Sequence, residues 1–128
     1  MPDEKKIVYP KLSYKIIGIA YEVFNEIGFG KEEKYYQRAF EIVLKDKKLR
    51  YEREKTIPIK FKEKSIGRYF LDFVVEDKIV VELKVRPCLG YVHIKQTMNY
   101  LKSANYKLAI LIYFTKTGVK FRRIINLK

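Results

Sequence analysis

RYFLDFVVEDKIVVELKVR, residues 68–86, decides how the rest of the chain is read. Two runs rich in Phe, Val, Ile and Leu flank Glu76-Asp77-Lys78, which predicts an antiparallel hairpin closed by a short polar turn. Pairing Val75 with Ile79 sets Asp72 opposite Glu82 and Phe70 opposite Lys84. Side chains alternate along strands, so Asp72, Glu82 and Lys84 are expected on one face among Phe70, Val74 and Val80. Leu71, Phe73, Val75, Ile79, Val81, Leu83 and Val85 are expected on the other. Both faces are largely apolar, as in central strands covered on two sides. Charges in such a place require a reason.

Two carboxylates facing each other across a strand pair repel, and burial raises the cost of ionising both. A divalent cation removes the conflict, and Mg²⁺ takes hard oxygen ligands, commonly one or two carboxylates completed by water and phosphate. An ammonium two residues beyond the second carboxylate can hold an attacking water or offset charge growing on phosphorus oxygens. The plainer alternative is a buried ion pair of Lys84 with Glu82 or Asp72. The whole triad on one face favours a site.

With 128 residues the chain suffices for one cored domain, 1–128, and is too short for two. A lone cysteine, Cys88, excludes an intrachain disulfide and fits a reducing, cytoplasmic setting. The polar N-terminus has no apolar signal core, and the longest apolar run, Leu108 to Phe114, is far too short for a bilayer, so no membrane partner is expected. Lys plus Arg number 28 against 15 Asp plus Glu, a formal net charge of +13, which favours a polyanion through counterion release.

Outward from the hairpin, apolar positions at helical spacing predict a helix from Leu12 to Ile27 with Ser13 as N-cap and Gly28 as stop. A second helix is expected from about Lys31 to Lys48, with Tyr36, Ala39, Phe40, Val43 and Leu44 as its stripe and Glu33 turned inward with them. Tyr51 to Lys62 reads as a strand with Ile57, Ile59 and Phe61 facing in and Pro58 marking an edge or a bulge; 63–67 reads as the turn that follows. After a break at 86–90, Tyr91 to Ala104 is a helix with Ile94, Met98 and Leu101 inward. His93, Gln96 and Tyr100 form its polar flank, where a hydrogen-bonding role at the helix surface is the expectation for His93. Lys107 to Phe114 and Val119 to Leu127 complete the chain as a buried strand and a half-exposed one.

Asp72, nine intervening residues and Glu82-Leu83-Lys84 resemble the signature of PD-(D/E)xK nucleases. Gly30, Glu33 and Tyr36 fit a GxxExxY pattern, and Gln96 with Tyr100 fits a QxxxY pattern, so nearly the whole chain is similar to the GxxExxY proteins of that superfamily. Leu71 stands at the position that gives the superfamily name its proline, and a strand interior accepts Leu more readily. The resemblance implies an α/β fold with an αβββαβ core and a mixed sheet flanked by helices, here with an extra N-terminal helix and a C-terminal strand. It also implies hydrolysis of phosphodiester bonds, DNA first, with Mg²⁺ or Mn²⁺ and products bearing a 5′ phosphate and 3′ hydroxyl. Asp72, Glu82, the Leu83 carbonyl and Glu33 would then serve the metal, Lys84 the water, and Gln96 the phosphate or Lys84. Tyr100 and the cations Lys60, Lys62, Lys64, Arg68, Lys120, Arg122 and Arg123 are candidate contacts to nucleic acid. The rival expectation is a catalytically inactive nucleic-acid-binding module of the same fold, and a homodimer is left open.

Overall fold

The computed structural model describes residues 8–87 and 91–126, the side chains of 91 and 92 excepted. Cys88, Gly90 and the expected strand end at Leu127 lie outside the described residues. Helix α1 (Pro10–Ile27) begins earlier than the apolar repeat indicates, because Pro10 at its first positions has a backbone already set for helix. Ser13 is therefore not the N-cap. That place falls to Tyr9, while Ser13 is buried in the helix and its hydroxyl donates to the Val8 carbonyl at 3.4 Å. Gly28 ends α1 at φ 76°, its N–H donating to the Phe24 carbonyl. Helix α2 (Glu33–Asp46) buries Tyr36, Phe40 and Leu44.

Five strands follow, β1 (Tyr51–Phe61), β2 (Lys64–Val75), β3 (Ile79–Val85), β4 (Leu108–Thr115) and β5 (Gly118–Ile125), with helix α3 (Tyr91–Ala104) between β3 and β4. They lie side by side in the order β1-β2-β3-β4-β5, and only β3 and β4 run parallel, as their helical crossover requires. From α2 to β4 this is αβββαβ, preceded by α1 and followed by β5. Val75 pairs with Ile79 as the turn residues imply.

Helices α1 and α2 cover one face of the sheet, over Phe73, Val75, Val81, Leu83, Ile110, Ile112 and Phe114. Helix α3 covers the other, where Leu101 meets Val74, Val80, Ala109, Leu111 and Ile124. Tyr36 holds α2 down, its ring stacked on Phe114 with centroids 4.5 Å apart and its hydroxyl bonded to the Gly28 carbonyl.

Three expectations for the strands fail. Ile57 is buried, but Ile59 and Phe61 are 39% and 60% exposed, because β1 and β2 run on as a two-stranded ribbon past the helices that could have covered them. The turn is only Lys62-Glu63, both left-handed at φ 49° and 68°, so β2 already starts at Lys64. Leu71, expected beside Phe73, instead joins Val74 in the α3 core. Alternation along β2 is broken at Asp72. Across from it, Glu54 takes φ 51° and drops out of the β1–β2 register between Arg53, paired with Phe73, and Lys55, paired with Leu71. Such irregularities re-aim side chains.

Candidate active site

The β2–β3 ladder runs from Val75 and Ile79 to Phe73 and Val81, and there it stops. Beyond it the side chains take over the main-chain bonding: the Asp72 N–H donates to Glu82 Oε2 at 3.0 Å, and the Leu83 N–H donates to Asp72 Oδ2 at 2.8 Å. Each carboxylate thus accepts from the opposite strand, and the two are held together at the point where the hairpin forks.

Glu82 is 2% exposed. Burial first and the Asp72 charge second raise its pKa, against the Asp72 N–H, Lys84 and Tyr69, which favour the anion. Asp72 is raised by burial, with relief from the Leu83 N–H, Lys84 and the Gln37 side chain, and a further push upward from Glu33. A buried and a half-buried carboxylate held side by side, with oxygen donors alone, suit a hard divalent cation, which would relieve both the burial and the repulsion.

Lys84 is half-buried two residues on. It pairs with Tyr113 of β4, which pairs with Lys120 of β5, just as Glu82 leads through Leu111 to Arg122. Lys120 and Arg122 are exposed. Arg123 is turned inward, donating to the Val8 carbonyl at 2.9 Å. The cations Lys60, Lys62, Lys64 and Arg68 are all exposed on the ribbon, along the other edge of the sheet.

Glu33 sits in the first turn of α2, half-buried, with Arg86 at 3.7 Å. Its charge is felt by Asp72 and His93, yet among the described residues no three His, Cys, Asp or Glu side chains gather as a ligand group. Of its motif partners, Gly30 supplies a backbone position at φ 110° and Tyr36 supplies core packing. Gln96 is exposed on α3. Tyr100 stacks on Tyr69 with centroids 3.6 Å apart.

Three participants were missed or undervalued in the sequence. Tyr69 donates its hydroxyl to Glu82 Oε1 at 3.1 Å, and burial together with that anion keeps it protonated. Strict alternation places Tyr69 on the far face, so only knowledge of the break at Asp72 reveals it. Gln37 reaches Asp72 from α2, one turn after Glu33, a spacing that puts both on one side of the helix. His93 is more than a surface group: Nδ1 lies 2.9 Å from the Tyr113 hydroxyl, and burial, Lys84 and Arg86 favour the neutral ring.

No helix among the described residues is long and apolar enough to cross a membrane. No curated protein matches the chain. A solved structure described as "Crystal structure of SSO0001" matches with 22% identity and a TM-score of 0.56, over 73% of this chain and 49% of that one, a likeness of fold. This chain thus spans about half the length of that relative. The family model of the PD-(D/E)XK nuclease superfamily matches residues 10–124. Nucleases of that superfamily generally use divalent metals and act on nucleic acid. From the start of α1 almost to the end of β5, and with its carboxylates gathered at a fork in the sheet, this chain belongs to the PD-(D/E)XK nuclease superfamily.

Proposed function

We propose that the chain is a Mg²⁺- or Mn²⁺-dependent deoxyribonuclease of the GxxExxY kind, with residues 1–128 as one nuclease domain. The observation that carries this reading is the pair of half-buried Asp72 and buried Glu82, crossed at the fork, both raised in proton affinity by burial, Glu82 further by the Asp72 charge and Asp72 by Glu33. Asp72 and Glu82 would hold the cation together with the Leu83 carbonyl. In an extended strand the N–H and C=O of one residue point to the same side, and the Leu83 N–H is turned to Asp72. When bound, the cation would polarise the phosphoryl group and favour an ionised nucleophile.

The remaining work falls to the chain. Lys84 would orient the attacking water and meet charge developing on the phosphorus oxygens. Tyr69 would hold Glu82 in its ionised, oriented form, braced by the Tyr100 ring. Gln37 would do the same for Asp72. Glu33 would act one step out, fixing Arg86 at the rim, and exposed Gln96 would steady a substrate phosphate. Lys120 and Arg122 on one side and the ribbon cations on the other would take the flanking backbone.

The test is cleavage of plasmid, linear duplex and single-stranded DNA with Mg²⁺, Mn²⁺ or EDTA. Cleavage with either metal and none in EDTA is expected. DNA binding in EDTA without cleavage under any metal would instead mark a binding module of the same fold.

A further inference from the structure

We infer that the β1–β2 ribbon, residues 58–68, is an arm that grips duplex nucleic acid through its major groove at a distance from the site of cleavage. For the class of partner this rests on the nuclease reading above. Every residue from Pro58 to Arg68 is exposed, whereas Ile57, one residue earlier, is buried against the α3 core. The ribbon leaves the body at the end of the sheet where β3 finishes with Lys84 and Val85, since β2 runs antiparallel to β3. It therefore extends past the fork. Lys64 precedes Asp72 by eight residues on one strand, a reach of about 26 Å, or about eight base pairs of duplex.

Its surface is unusual in two respects. Lys60, Lys62, Lys64 and Arg68 face solvent with only Glu63 against them. Between them lie bare apolar side chains: Phe61 is 60% exposed, and Ile66, left unpaired by the bulge at Ile59 and Lys60, is 68% exposed. Lys62 rides over the Phe61 ring at 5.5 Å, and Arg68 over Phe70 at 5.7 Å. Edge lysines alone could serve to prevent aggregation, but then Phe61 and Ile66 would be liabilities.

A two-stranded ribbon fits the major groove, where phosphates line both walls and apolar contacts can be made to base edges. Ile59 and Phe61 continue the face of Ile57, whereas Lys60 and the Pro58–Arg68 pair lie on the other, with Lys62 at the turn, so cations leave the ribbon in more than one direction. A single strand offers phosphates along one line only. A second copy of this chain would set one lysine row against another.

Fluorescence anisotropy in EDTA tests this on the full chain, using a duplex two helical turns long and its separated strand across a salt series. The variant Lys60→Ser/Lys62→Ser/Lys64→Ser should make the slope of log Kd against log salt shallower by about 2 to 3 for the duplex. Arg68→Ser should do so by about 1. Both variants should change single-strand binding less. An unchanged duplex slope overturns the inference, and so does an equal loss on single strands. Conversion of a wild-type dimer to monomers by the triple variant, with duplex binding intact, overturns it in favour of a contact between copies. Binding is read without metal, so failure of the nuclease reading appears separately, as no cleavage of the same duplex with Mn²⁺.

Discussion

The two ends of the β2–β3 hairpin are made of the same strands and do opposite things. At the turn end, from Val75 and Ile79 to Phe73 and Val81, main chain bonds to main chain and every side chain is apolar and buried. One residue further along, the bonding is carried by the carboxylates of Asp72 and Glu82. The closed end is paired by hydrogen bonds that ask nothing of the side chains and leaves them to fill two cores. The open end uses side chains for bonding and accepts two raised pKa values in return. On the proposed reading, stability and chemistry are separated along one hairpin by a single break in strand pairing, and substitutions at its two ends should separate in what they disturb.

The largest effect expected is at the closed end. Phe73→Ala removes a fully buried ring that packs on Phe40 at 5.2 Å, and should lower unfolding free energy by about 3–5 kcal/mol in denaturant titration. A loss below about 1 kcal/mol would show that this end is not the anchor. At the open end, Lys84→Ala should leave the denaturation midpoint nearly unchanged while reducing the cleavage rate about 10²- to 10³-fold. Wild-type turnover would remove Lys84 from the chemistry.

Next comes pH. Burial raises the Glu82 pKa on folding, so the native chain keeps a proton that the unfolded chain has lost. Stability without metal should therefore be fullest below the ordinary carboxylate range, near ~4, and fall as pH rises toward the folded value. Glu82→Gln should flatten that decline and stabilise the metal-free protein at neutral pH by about 1 kcal/mol or more, read from melts in EDTA. A parallel decline in the variant would place the origin elsewhere. The smallest effect concerns Tyr69→Phe, which removes a donor to the Glu82 anion. The acid limb of the cleavage profile should move up by about one pH unit, and an unmoved limb would show the hydroxyl to be idle.

The hairpin, its register and the order of elements were legible because apolar runs and turn residues dictate them locally, as with Val75 against Ile79. The faces of β2 were not. Leu71 changed sides, and Tyr69 lies with it, at the irregularity where Asp72 and Glu54 leave the strand ladder and Glu54 adopts a left-handed backbone that its side chain does not announce. Ile59 and Phe61 misled for the opposite reason: their alternation is that of a half-buried strand, and only the positions of the helices show that nothing covers them. At the candidate site, the closeness of Asp72, Glu82 and Lys84 could be read from their spacing. Gln37 and Tyr69 reach the two carboxylates across distant segments, which spacing along the chain cannot reveal.

Calorimetric titration with Mn²⁺ tests the central claim most directly, that the forked end of the hairpin is a divalent-cation site. The wild-type chain and Lys84→Ala should both bind the ion, and Asp72→Asn should lose that binding, since an amide oxygen is an uncharged and poorer ligand for a hard cation. Mn²⁺ bound by Asp72→Asn as tightly as by the wild type would contradict it.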